Sequence, residues 1–416
     1  MPGWPRRGEH WRPTRSRSIN NCLSAGVELN LGGLEMDLSE IPDVAVVGVG
    51  GMGSAAAYQL ARRGLSVVAI ERHEPGHDRG SSHGLSRIIR LAYFEHPSYV
   101  PLLQRSFELW RELEADSGEQ VLHVTGGLDI GLPGSRVYEG SLESCRVHGL
   151  RHEVLSADDV NRRFPGYHLP PGYMAVFQPD GGFLEPEKCI RAFTRLAQVH
   201  GAQVTVRQEV RGWSREAGVV TVHLDQGEVR ARQLVVCAGA WTPALVPSLA
   251  PLLSPERQVV AWFAVSDDAA FELARFPVFV MTLPDGHYYG FPQHGVPGFK
   301  IGKYHHRAER IDPDSLNRVV DAEDEGVLRE CVQAVFPAAN GPVVRSSTCI
   351  FTNTPDEHFI IDRLPYAPEV LVVSACSGHG FKFCSVVGEI VADLVSEGQT
   401  RHDLSLFRLE RFRGNH

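Results

Sequence analysis

Residues 43–72 read DVAVVGVGGMGSAAAYQLARRGLSVVAIER. The apolar run Val44–Val47 predicts a short buried strand. Gly48-Val49-Gly50-Gly51-Met52-Gly53 follows it and spells G-x-G-x-x-G. An alanine-rich helix is expected over 54–63, closed by Gly64. A second strand over 66–70 ends at Glu71. Gly48 permits the tight turn, Gly50 lets the backbone approach a pyrophosphate, and Gly53 lets helix and strand pack closely. The free N–H groups of the helix N-terminus attract phosphate. Glu71 sits where a carboxylate accepts from ribose hydroxyls. Strand, glycines, helix, strand and acid in this order predict a dinucleotide-binding α/β unit. The acid disfavours a 2′-phosphate, and the motif alone leaves NAD and FAD open.

The chain has 416 residues, more than the ~100–200 typical of one domain, so two or three domains are expected. Hydrophobic residues make up 43% and charged residues 22%, the balance of a globular protein with a large core. A net charge of −9 argues against nucleic-acid binding. The cysteines at 22, 145, 189, 237, 331, 349, 376 and 384 form no C-x-x-C and no disulfide framework. A reducing, cytoplasmic setting is expected. No apolar run reaches the ~18 residues of a membrane span. Residues 1–40, rich in Arg, Pro and Trp, read as a disordered extension or as sequence upstream of a natural start at Met36. Arg6-Arg7 lacks the apolar stretch of an export signal.

Gly80 to Arg90 read GSSHGLSRIIR. Ser81 and Ser82 suit a helix N-cap. On a helix, His83, Arg87 and Arg90 would share one face, either a solvated basic face or an anion or flavin site. A further helix is expected over 99–113. The stretch ARQLVVCAGAWTPAL, from 231, reads as a later strand of the dinucleotide unit. Lys300, between Phe299 and Ile301, is either a surface lysine or a buried cation. Near the C-terminus, VLVVSACSGHGFKFCSVVGEIVADLVSEG repeats strand, glycine turn and helix. The strand is expected over 371–373 and the helix over 381–395, with Lys382 in its first turn. An anion there would meet both the lysine and free N–H groups. No metal is expected: there is no H-E-x-x-H, and the adjacent His305 and His306 would face opposite ways on a strand. Cys349 taken alone is a small buried hydrophobe.

Five separated stretches carry a resemblance: GVGGMG, GSSHGLSRIIR, YGFP…FKIG, TCIFTNTPDEHFIID and SGHGFKF. In this order, over about residues 43–408, the chain resembles the monomeric sarcosine oxidase / N-methyltryptophan oxidase family of FAD-dependent amine oxidases. The resemblance implies a glutathione-reductase-like FAD-binding Rossmann domain, discontinuous over 41–120, 184–258 and 357–408. It implies an α+β substrate domain with a mixed sheet over 121–183 and 259–356. It implies FAD held covalently through an 8α-S-cysteinyl bond at Cys349, and a thiolate suits such an attack. Lys300 matches the lysine near flavin N5 that helps O₂ accept electrons. Arg90 and Lys382 match a clamp for the substrate carboxylate. His83 and Arg87 match residues against the isoalloxazine ring, and Tyr289 matches an active-site tyrosine. Gly48, Gly50, Gly51, Met52, Gly53, Glu71, Ser81, Gly378, His379, Gly380 and Lys382 complete the expected cofactor contacts. Phe351 replaces a family tyrosine and Ser86 a threonine. One extra residue after Lys300 leaves either Tyr304 or His305 in the place of the family's substrate-side histidine; His305 is counted with the catalytic set.

The expected reaction is oxidation of a secondary-amine amino acid to an imine with O₂ as acceptor. It yields H₂O₂ and, from N-methyl substrates, formaldehyde. The expected protein is a monomer acting on a small molecule. Two rivals share the motifs: a dehydrogenase passing electrons to a carrier, and a nucleotide-binding protein without this chemistry.

Overall fold

Two sheets hold the site between them. The computed structural model describes residues 41–374 and 377–413. The expected extension over 1–40, together with Cys22 and Cys376, lies outside the described residues. The described residues fall in one compact unit.

The first sheet has six strands. Val44–Val47 lies at its centre, parallel to Val67–Ile70 on one side and to Gln233–Val236 on the other. Gln203–Thr205 and Ala367–Ser374 extend it in parallel, and Ile360–Leu364 closes one edge antiparallel. All four residues of Val44–Val47 are buried, as a parallel strand covered on both faces requires. The helix Gly51–Arg62 starts inside the glycine motif, three residues earlier than expected. It packs against Pro186–Val199 and Cys384–Ser396, so small residues such as Ala55, Ala56 and Ala57 are fully buried.

The second sheet has eight strands and is mixed. Ser254–Phe263 pairs antiparallel with both Val343–Asn353 and Phe299–Lys303. Phe299–Lys303 pairs with Gly286–Phe291, which pairs with Val278–Leu283. Val278–Leu283 meets Gly127–Gly131 in parallel. Its far face rests on an aromatic core that includes Phe276, Phe279, Phe299 and Phe336. Residues opposite each other across strands share a face, so the register sets Lys300 beside Trp262 and Phe291.

Two expectations are corrected. The stretch 81–90 is not a helix: Gly84 (φ +92°) and Leu85 (φ +71°) have left-handed backbone. After them Arg87–Ile89 forms a strand paired with Gly182–Leu184. The β-branched pair Ile88-Ile89 suits a strand better than a helix. Lys382 lies in a 3₁₀ turn, Phe381–Phe383, and the α-helix begins only at Cys384.

Candidate active site

The glycine motif lies at one end of a cavity of about 270 Å³ that runs between the two sheets. Gly48, Gly50, Gly51, Met52 and Glu71 line that end. A methyl group on Gly53 would lie 1.7 Å from the Gly48 carbonyl oxygen, so Gly53 serves the close packing of helix on strand and stands outside the lining. A methyl group on Gly50 would meet nothing within 4 Å, which leaves open space against the backbone there. Glu71 accepts from the backbone N–H of Val49 at 2.7 Å and of His73 at 2.9 Å. Burial opposes its charge, yet hydrogen bonds from His77, Val49 and His73 hold the carboxyl below its usual range. Three accepted bonds leave a lone pair for a ribose hydroxyl, since a carboxylate offers about four sites.

The middle of the cavity is lined by Ser81, His83, Gly84, Arg87 and Cys349. Cys349 is buried, and its Sγ lies 3.4 Å from both the Arg87 guanidinium and the Ser81 carbonyl. Burial, then the charge of Arg87, drops the pKa of His83 to about 3, so its ring is neutral. Its Nε2 is buried with no partner among the described residues. Glu187 steadies the loop, accepting from Gly84 N–H at 2.6 Å and Leu85 N–H at 3.1 Å. Lys300 supports it from the second sheet. Its Nζ donates to Gly84 O at 2.6 Å, Ser86 O at 3.0 Å and Ser86 Oγ at 2.9 Å. The ammonium sits 4.4 Å from the centre of the Phe291 ring. Burial, then Arg87, pushes its pKa well below the ordinary lysine value. Lys300 thus stands behind the loop rather than in the lining.

The far end is aromatic. Tyr289, Phe291, Tyr304 and Phe351 line it, with Tyr304 5.3 Å from Tyr289 and 5.8 Å from Phe351 between ring centres. Gly302 makes room for Tyr289: a methyl group there would lie 2.5 Å from that ring. Lys382 and His379 close this end. His379 Nε2–H donates to the Glu357 carbonyl, so Nδ1 accepts from the Tyr93 hydroxyl at 2.6 Å. Burial, then repulsion from Arg90, lowers the pKa of Lys382 to about 7. One of its three protons is given to the His379 carbonyl.

Most residues singled out from the sequence therefore meet in one cavity, Gly378 and Gly380 among them. Arg90 is buried but stands outside the lining. Its Nη2 donates to both carboxylate oxygens of Glu95 at 3.1 and 3.0 Å, its Nη1 donates to the Ala92 carbonyl at 2.5 Å, and its Nε faces Asp129 at 3.6 Å. Burial opposes its charge, but Asp129 and Glu95 hold it cationic. His305, in contrast, is half exposed, bridged between Glu256 and Glu357, and stands outside the lining. Those two carboxylates, Glu256 first, push its pKa up to about 10. Tyr304 occupies the cavity position instead. Phe291 in the lining was not expected, although its period-two spacing from Tyr289 was an available signal. Nor were Trp241, Arg72 and Asp314 expected at the glycine end, where Asp314 accepts from both Trp241 Nε1 and Arg72.

The model for "FAD dependent oxidoreductase" matches residues 43–394. The chain belongs to this FAD-dependent oxidoreductase family. It is 41% identical to a monomeric sarcosine oxidase of Bacillus sp. (strain NS-129), over 89% of this chain and 96% of that protein. It is 36% identical to an N-methyl-L-tryptophan oxidase of Citrobacter koseri, over 89% and 99%. Among solved structures, NikD, an unusual amino acid oxidase essential for nikkomycin biosynthesis, superposes with a TM-score of 0.76. It is 28% identical, over 89% of this chain and 98% of that one.

In this FAD-dependent oxidoreductase the residues present fit FAD. The open space at Gly50 and the helix start suit the pyrophosphate. Glu71 retains a lone pair for a ribose hydroxyl, and the unpartnered Nε2 of His83 awaits a polar atom in the middle of the cavity.

Proposed function

We propose that this protein is a flavoprotein oxidase of amino acids bearing a secondary amine: N-methyl amino acids or their cyclic counterparts. The observation that carries the reading is the continuity of one cavity. It runs from a dinucleotide cradle, past a buried sulfur, to an aromatic pocket with a buried cation. Bound FAD supplies the two-electron acceptor for the C–N bond and passes the electrons to O₂.

The chain's own residues do the rest. Lys382 offers two unused protons to the substrate carboxylate, and Arg90 offers the N–H groups of its Nη2 once that carboxylate takes the place of Glu95. Tyr289, Tyr304 and Phe351 exclude water and pack on the N-alkyl or ring carbons. A dry pocket favours the neutral amine, whose nitrogen lone pair helps expel hydride from the adjacent carbon. Water outside the pocket then hydrolyses the imine. Lys300 places a cation source beside the loop against which O₂ would be reduced.

In this reading FAD is bonded to Cys349. The position of Sγ in the middle of the cavity, 3.4 Å from Arg87, supports it. Acid precipitation of the purified protein tests it: yellow colour stays in the pellet, and the Cys349→Ala protein releases its flavin to the supernatant. Complete release from the unaltered protein would refute the bond. The segments 41–120, 184–258 and 357–408 would form the FAD-binding part, and 121–183 and 259–356 the substrate part. No described helix is long and apolar enough to cross a membrane. The protein would act as a cytoplasmic monomer, and size-exclusion chromatography with light scattering checks its oligomeric state.

A further inference from the structure

We propose that His123, Glu185 and His294 form a binding site, outside the flavin cavity, for a divalent transition-metal ion of the zinc class. The three come from separate segments. His123 lies on the strand Leu122–Val124. Glu185 precedes the helix Pro186–Val199. His294 lies in the loop between the strands Gly286–Phe291 and Phe299–Lys303. One ligand atom from each lies within 4.8 Å of the others. His123 Nε2 is 2.8 Å from Glu185 Oε1, and His294 Nε2 is 3.5 Å from the same oxygen. Ligands bound at about 2.0–2.1 Å in a tetrahedron stand roughly 3.3 Å apart, so small side-chain rotations suffice.

The rings are already held. His123 stacks on Phe183 at 4.9 Å and 18°, and His294 lies 5.0 Å from Phe183 and 4.6 Å from His123. Side-chain exposures of 14%, 19% and 22% for His123, Glu185 and His294 let an ion enter and keep one position for water. Two imidazoles with one carboxylate favour zinc-class ions over calcium or magnesium, which prefer oxygen ligands. Lys188 competes for the site. Its ammonium donates to Glu185 Oε1 at 2.8 Å and to the Gln120 carbonyl at 3.1 Å, satisfying the carboxylate when no ion is present. At one-third exposure it is free to swing into solvent.

Such an ion would clamp the hairpin that carries Tyr289 and Lys300 to the start of the helix that carries Glu187. Glu187 in turn holds Gly84 and Leu85. Contiguous spacing motifs do not reveal the site, because its ligands meet only through the fold.

The test uses the flavin-loaded protein, stripped with a chelator and dialysed, then titrated with Zn²⁺ by calorimetry at neutral pH alongside thermal melting. One ion per chain should bind and raise the melting temperature. His123→Ala and His294→Ala should each weaken binding by about tenfold or more. Lys188→Met should tighten it. Flavin absorbance checks that each variant is folded. If a histidine variant loses its flavin, the surface change Lys188→Met decides instead. Absence of saturable uptake, uptake unchanged by both histidine substitutions, or affinity not increased by Lys188→Met would each overturn the site.

Discussion

Lys382 shows what a single buried residue contributes. Desolvation pulls its ammonium down to about 7, so near neutral pH the site holds a cation that is easily lost. A carboxylate ligand needs the charged form. Its affinity is therefore flat below pH 7 and falls, approaching tenfold per unit, as pH rises above it. The measurement is the dissociation constant of a simple carboxylic acid lacking the amine, read from flavin spectral changes across pH. In Lys382→Met the affinity should drop by about 10- to 100-fold and the pH dependence should vanish. Persistence of the same dependence would assign it to another group. At this scale the sequence was partly legible. Lys382 and Cys349 are named by short motifs and lie in the cavity. Tyr304 and His305 are neighbours, and only the turn that gives His305 a φ of +56° separates their environments. A single step along the chain decides which of the two side chains faces the cavity, and no local pattern reports it.

Among the elements, the strand–glycine–helix unit was legible because its requirements are local. Gly50 and Gly53 illustrate two different reasons for the same residue type. Gly53→Ala puts a methyl group 1.7 Å from a carbonyl oxygen, so the helix must move off the strand and the apoprotein should melt earlier. Gly50→Ala meets no atom of the described residues within 4 Å. It should leave apoprotein stability within about 0.5 kcal/mol and reduce flavin content instead. Melting of apoprotein and flavin-to-protein ratio, measured for both, separate packing from cofactor approach. The stretch 81–90 was misread because i, i+4 and i+3 spacing of cations mimics a helix face. Tertiary context won: Glu187, about a hundred residues away, ties down the N–H groups of Gly84 and Leu85 in left-handed backbone that a helix forbids.

Across the whole molecule, the site exists only because the second sheet is set against the loop of the first. Lys300 is the clearest bridge, reaching from Phe299–Lys303 to Gly84 and Ser86. Its burial was an open question in sequence, since a strand lysine faces in or out by register alone. Lys300→Met removes a cation and three hydrogen bonds to the loop, although the Gly84 carbonyl still accepts from Ser86 N–H and the Ser86 carbonyl from Arg87. Rapid mixing should show reoxidation by O₂ slowed far more than reduction by substrate; equal slowing would mean that Lys300 only supports the loop. The pairing of Arg90 with Glu95 was equally hidden, because a cationic motif does not announce the carboxylate that occupies it.

In the proposed function this cavity oxidises secondary-amine amino acids and hands the electrons to O₂. The most direct test mixes the flavin-loaded protein without air with a panel of N-methyl and cyclic amino acids, then admits air. At least one such amine should bleach the flavin absorbance, and the same amine with its carboxylate amidated should not. The absorbance should recover in air with stoichiometric H₂O₂. Bleaching by no member of the panel, or recovery in air without peroxide, would contradict the proposed function.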